Sequence, residues 1–214
     1  MARIGERPPG SGRVLTPKLP PHAPGMAIGL YGGSFNPPHA AHRLVSRLAL
    51  KRLELDRLWQ LVTPGNPLKD NAALPALGER MAAAARLSAH PRVEVAGIEA
   101  AIGVRRSHDL VAHLVERCPG VGFVWIMGAD NLATLHRWGR WRELAELVPI
   151  AVIDRPGATF AATNAPAAQA LARFRVDEAD AGRLAWAAPP AWCFLHGLRS
   201  PLSSTALRGA GRPD

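Results

Sequence analysis

Apolar positions along this chain recur in two rhythms. Short apolar runs at 27–31, 57–63, 93–98, 121–127, 150–154 and 192–198 predict largely buried strands. Between them, segments with a period near 3.6 residues predict helices. The segment 39–53 is apolar at 41, 44, 45, 48, 49 and 53, the segment 78–90 is alanine-rich, and 107–118 opens on Ser107 as an N-cap. Shorter helices are expected around 132–135 and 141–148, with a final helical turn over 203–208. The alanine-rich region 158–185 fits no single period. Strands alternating with helices imply an α/β, doubly wound, mostly parallel sheet covered on both faces, in a single domain with a short C-terminal helical end.

Ligands of such sheets sit at the carboxyl ends of strands, near the point where strand order reverses. Four runs here end in polar or glycine-rich signals: Gly32-Gly33-Ser34, Pro64-Gly65-Asn66, Gly128-Ala129-Asp130 and Asp154-Arg155-Pro156-Gly157. They are expected to line one rim. Residues 1–25 hold six prolines and four glycines with no hydrophobic period. They read as a disordered leader, or an upstream extension of the reading frame, outside a domain spanning 26–214.

Composition narrows the classes. A chain of 214 residues that is 48% apolar can bury one sizeable core. The net charge is +9, of which Arg3, Arg7, Arg13 and Lys18 against Glu6 supply +3 before residue 26. The remaining excess suits an anionic ligand and permits nucleic acid. Cys118 and Cys193 are far apart without CxxC spacing, so reduced thiols are expected rather than a disulfide or a metal site. No apolar run approaches the roughly 18 residues of a membrane span, and no signal-type apolar region is present. A soluble, cytoplasmic chain without a membrane partner is expected.

The densest chemistry lies in 29–42. An apolar run ends in Gly32-Gly33, read as a tight turn, and His39 and His42 follow three residues apart as a helix begins. That spacing puts two imidazoles on one face, at the end of the helix where free N–H groups and the dipole favour an anion. Glycine at 32 and 33 would let backbone approach a ligand closely. The combination reads as a nucleotide phosphate site. Taken singly, His39 could be a turn residue and His42 a satisfied surface or core histidine.

The run Gly32-Gly33-Ser34-Phe35-Asn36-Pro37-Pro38-His39-Ala40-Ala41-His42 resembles the Gly-Gly-Ser/Thr-Phe-Asp/Asn-Pro-x-His-x-Gly-His signature of nucleotidyltransferases. Leu202-Ser203-Ser204-Thr205-Ala206-Leu207-Arg208 resembles their C-terminal Ile-Ser-Ser-Thr-x-Ile-Arg signature. The segments Trp125–Leu132, His136-Arg137-Trp138 and Asp154-Arg155-Pro156-Gly157 are similar to those of bacterial nicotinate mononucleotide adenylyltransferases. The likeness covers about residues 26–208.

The resemblance implies a Rossmann-like nucleotidylyl transferase fold and transfer of AMP from ATP to nicotinate mononucleotide, giving deamido-NAD and pyrophosphate, with Mg2+ bound to ATP. It implies His39, His42 and Arg208 as catalytic groups. Gly32, Gly33, Ser34, Phe35, Gly128, Asp130, Arg155, Ser203 and Ser204 would join them in binding ATP, Asp130 at the ribose and Arg155 at adenine or phosphates. Lys69 would contact phosphate near the acceptor, unless it is an ordinary solvated loop lysine. Trp138 would stack on the pyridine ring, core packing being the alternative; Trp141 is assigned to the core. Ser107 would stand at the acceptor carboxylate.

Three departures stand out. Ala41 replaces the usual glycine, Arg105-Arg106-Ser107 stands where relatives often show Arg-Tyr-Thr, and the chain stops six residues after Arg208, which leaves a short last helix. A sibling enzyme acting on nicotinamide mononucleotide or phosphopantetheine is the nearest alternative. A basic nucleic-acid-binding protein is the alternative of another class. Against a stable nucleic-acid partner, aromatics make up only 6% and interleave with no basic stripe. The chain has neither Gly-x4-Gly-Lys-Ser/Thr nor Gly-x-Gly-x-x-Gly.

Overall fold

The computed structural model describes residues 18–65, 74–154 and 159–197. Its sheet contains β1 (Ala27–Gly33), β2 (Arg57–Val62), β3 (Val93–Ala96), β4 (Gly122–Gly128), β5 (Ile150–Ile153) and β6 (Trp192–Leu195). These pair in the order β3-β2-β1-β4-β5-β6, and every pairing is parallel. The expected "mostly parallel" sheet is therefore wholly parallel. The chain builds outward from β1 to β3, then returns to β4 on the other side of β1. The reversal of strand order thus falls between β1 and β4, where Ser34 and Ala129 leave the sheet.

Alternation within the apolar runs sorts side chains between two cores. Ile28, Leu30, Trp59, Phe123, Trp125 and Met127 face one layer, with Leu110 and Leu114 of α4 (Ser107–Arg117) and Leu144 of α6 (Trp141–Leu147). Tyr31, Leu58, Val62, Val124, Ile126 and Ile153 face the other, with Val45 and Ala49 of α1 (Ala40–Arg52) and Ala84 of α2 (Leu77–Leu87). Burial on both faces explains why these strands read as unbroken apolar runs rather than strict alternation.

Several expectations need correction. Gly32 and Gly33 do not form a turn: β1 runs through both, paired with Leu61 and Val62. Ser107 is the first residue of α4, and Arg106 holds the cap position without a side-chain cap bond. A five-residue helix, α3 (Ile98–Ile102), had no counterpart in the sequence reading. The helix expected around 132–135 comes earlier, as α5 (Ala129–Leu132), followed by a 3-10 turn over Leu135–Arg137. The ambiguous stretch resolves into α7 (Thr159–Thr163), α8 (Pro166–Ala170) and two 3-10 segments, Ala172–Phe174 and Glu178–Trp186.

The packed chain also begins before Met26. Leu19 lies against the first core, and the His22 ring meets that of Trp59 at 5.9 Å, edge-on. The Gly25 N–H donates to the Gly120 carbonyl at 2.8 Å. Among the described residues no helix is long and apolar enough to cross a membrane. The helical turn expected over 203–208 lies outside the described residues.

Candidate active site

The loop leaving β1 carries the histidines. Phe35 adopts φ +47°, a left-handed conformation that costs a bulky residue roughly 1–2 kcal/mol. Its ring is 1% exposed, edge-on to Tyr31 at 5.7 Å and tilted against His42 at 4.8 Å. Burial of such a ring is worth about 1.5–3 kcal/mol, enough to offset the strain. The Phe35 ring is thus a buried wall for His42.

His39 is the N-cap of α1 in an extended conformation (φ −143°, ψ 169°), and His42 is the third residue of the helix. The His39 N–H donates to His42 Nδ1 at 3.2 Å, while the His42 N–H donates to the His39 carbonyl at 2.8 Å. The ring centroids lie 3.9 Å apart, and the residues are 6% and 8% exposed. Two imidazolium rings at that separation would repel. An amide N–H on Nδ1 selects the neutral form of His42 with its proton on Nε2. His42 is thus prepared as a neutral donor.

A buried polar chain holds that helical turn from behind. Ser46 Oγ donates to the His42 carbonyl at 2.9 Å, and Gln60 Nε2 on β2 donates to Ser46 Oγ at 2.9 Å and to Ser88 Oγ at 2.8 Å. None of these three side chains was singled out from sequence; only a glutamine inside an apolar strand run hinted at it.

Gly32 has a reason other than ligand approach. A Cβ there would sit 2.8 Å from the Trp125 ring, a contact real Cβ atoms do not make, and one at Gly33 would lie 3.2 Å from the Phe35 ring. The two glycines let the aromatic side chains close over β1. Ser34 and Gly128 lie at the same rim, and Asp130 is exposed in α5 just beyond β4.

Arg80 was missed. It lies on the buried face of α2 with Ala84 and is itself 3% exposed. Nη1 donates to the carbonyls of Ser34 and Thr63, both at 2.8 Å, Nε to Pro75 at 2.9 Å and Nη2 to Pro64 at 3.5 Å. Burial draws its pKa below the ordinary guanidinium value. Carbonyl acceptors replace the solvent it has lost. Nearby, Glu99 of α3 is buried, which raises its carboxyl pKa, while a hydrogen bond with the Thr63 side chain acts in the opposite sense.

The structure also sets two of the three acceptor candidates, Ser107 and Trp138, on linked segments. Trp138 is half-buried against the first core. Arg106 passes beside Gly139, its Nε 3.4 Å from where a Cβ would stand. Arg140, which also pairs with Glu143 of α6 at 3.6 Å, meets Asp109 at 3.5 Å and so ties the segment after Trp138 to the first turn of α4 and to half-buried Ser107. Trp141 is core, as expected, at 7% exposure. Both cysteines are buried and unpaired, and burial pushes the Cys193 thiol up to about 12. Lys69, Arg155, Ser203, Ser204 and Arg208 lie outside the described residues.

The cytidylyltransferase-like family model matches residues 30–210. A probable nicotinate-nucleotide adenylyltransferase of Bradyrhizobium sp. is 61% identical over 183 residues, 86% of this chain and 95% of the relative. One of Agrobacterium fabrum is 54% identical, covering 86% of this chain and 98% of the relative. The fold is similar to that of Plasmodium falciparum nicotinic acid mononucleotide adenylyltransferase complexed with NaAD, at TM-score 0.64, 16% identity and coverage of 86% and 83% of the two chains. Extent and identity together show that the chain belongs to the cytidylyltransferase-like family and, within it, to the nicotinate-nucleotide adenylyltransferases.

Proposed function

We propose that this chain transfers AMP from ATP to nicotinate mononucleotide, forming deamido-NAD and releasing pyrophosphate. The phosphate of the acceptor attacks the α-phosphorus in line, the bond to the β-phosphate oxygen breaks, and pyrophosphate leaves. The nucleophile is already an anion, so the protein needs neither a covalent intermediate nor a general base. Its contribution is alignment of two nucleotides and stabilisation of charge on the non-bridging and leaving oxygens.

The observation that carries the reading is the histidine pair at the reversal of strand order, with His42 held as a neutral Nε2–H donor by the His39 amide. In this reading both histidines donate to α- and β-phosphate oxygens, and Ser34 and Gly128 border the nucleotide. Asp130 meets the ribose and Arg155 the adenine or phosphates. Ser203, Ser204 and Arg208 hold the β- and γ-phosphates. Trp138 and Ser107 receive the pyridine and its carboxylate, and Lys69 the acceptor phosphate. Among the described residues no group of three or more His, Cys, Asp or Glu side chains gathers as a metal cage. In this reading Mg2+ would arrive bound to ATP, where it would neutralise charge on the phosphates. Buried, unpaired cysteines suit the reducing cytoplasm in which we place the activity.

Purified chain with ATP and Mg2+ should release pyrophosphate fastest with nicotinate mononucleotide, more slowly with nicotinamide mononucleotide and not with phosphopantetheine. Preferential turnover of phosphopantetheine would overturn the assignment.

A further inference from the structure

We infer that Arg80 is a positioning residue that locks the loop leaving β1 against the loop leaving β2 and so sets the approach of donor to acceptor. The inference rests on the functional reading above. A buried guanidinium usually meets a carboxylate; the ion pairs among the described residues do not include Arg80. It is met instead by four backbone carbonyls from three places: Ser34 after β1, Thr63 and Pro64 after β2, and Pro75 ahead of α2. One nitrogen, Nη1, joins Ser34 to Thr63, across the same two strands whose last pairing is Gly33 with Val62. The Thr63 N–H adds a bond to the Gly33 carbonyl at 3.0 Å, so the two chain segments leave the sheet clamped on both sides of Thr63.

The consequence for catalysis follows from what these segments carry. Five residues beyond Ser34 stands His39, and β2 ends beside β1 at the same carboxyl edge of the sheet. Arg80 holds backbone and contacts no reacting atom in this reading. Its loss should therefore disturb alignment more than affinity, and a displacement near 1 Å can cost about 10²-fold in rate. Lysine cannot stand in: its ammonium lacks the planar fork that reaches several carbonyls at once.

Arg80→Lys and Arg80→Gln are compared with the parent and with Arg86→Lys, an exposed control on the same helix. The readouts are kcat per folded molecule, with folding followed by near-ultraviolet circular dichroism, and the Kd of ATP and of nicotinate mononucleotide. Arg80→Lys should lower kcat by about 10- to 100-fold, leave both Kd values within about threefold and leave Arg86→Lys like the parent. Ethylguanidinium, which matches the side chain beyond Cβ, added to a further variant, Arg80→Ala, should restore part of kcat. A folded Arg80 variant with kcat within threefold of the parent overturns the inference. So does a weakening of both Kd values with kcat intact, or a failure of all the Arg80 variants to fold, which would make the residue architectural only. Turnover by the parent is measured first: its absence sinks the functional reading, whereas an active parent with equally active variants sinks the brace alone.

Discussion

The two sides of the rim are built differently. On the β1–α1 side the candidate groups are enclosed: Phe35, His39 and His42 are at most 8% exposed, their rings touch, and buried hydrogen bonds reach from Ser88 to the His42 carbonyl. On the α4 side Arg106 is exposed and Ser107 and Trp138 are half-buried. An ion pair of 3.5 Å between the partly exposed side chains of Arg140 and Asp109 ties their elements. Pairs of that kind contribute about 0–1 kcal/mol each. The difference matches the chemistry proposed for each side. A triphosphate is the same in every ATP, so a stiff, costly cradle is never mis-set. The acceptor end carries the distinguishing group, and there a substitution such as Arg106 for an aromatic leaves the cores untouched.

The most direct way to break this contrast is His42→Ala. Loss of one preorganised donor should lower kcat by about 10²- to 10³-fold, with the fold retained. Single-turnover pyrophosphate release measures it, and a near-normal rate would reduce the enclosed side to packing. Next in size is Gly32→Ala. If the glycine exists for the Trp125 ring, overpacking should cost roughly 1–3 kcal/mol of stability, read as a lower Tm, with the KM for ATP unchanged. A raised KM with an unchanged Tm would instead restore ligand approach as the reason for the glycine.

Gly32 also marks where sequence reasoning stops. The strands were legible because burial on both faces demands apolar runs, and the histidine pair because one helix turn fixes their shared face. The reason for Gly32 is a contact with Trp125, 93 positions away, which no local pattern encodes. The helix α3 is five residues long, too short to show a period. The stretch 18–25 looked like a leader because prolines dominate it, yet Leu19 and His22 find partners only once the sheet exists. Arg80 left a trace that could have been used: a charge on the buried stripe of α2 beside Leu77 and Ala84 calls for a buried acceptor set. The acceptor side is legible by motif alone, because half-buried residues such as Ser107 and Trp138 leave no periodic pattern.

Trp138→Ala sharpens the contrast from the looser side. Removing the indole should raise the acceptor KM by about 10-fold, near 1.4 kcal/mol, with kcat and the KM for ATP little changed. Initial rates with each substrate varied in turn decide it. An unchanged acceptor KM would leave Trp138 as packing and move acceptor recognition elsewhere on the rim.

The smallest effect belongs to Glu99, enclosed like the histidines but set on α3 beside Thr63. Burial raises its folded pKa above the ordinary carboxylate value of 4.5, despite the opposing hydrogen bond with Thr63. Below about pH 4 the carboxyl is protonated in both the folded and unfolded chain, and no penalty arises. As pH climbs past 4.5 the unfolded chain releases its proton first, so the folded state loses stability until its own pKa is passed. Glutamine keeps the shape and a polar contact for Thr63 but cannot ionise. The Tm of Glu99→Gln relative to the parent should therefore rise from near equality at pH 4 to a positive difference at pH 8. A difference that shrinks or reverses over that range would mean that the carboxylate is wanted charged, and that this buried acid supports the β2 loop through its charge rather than in spite of it.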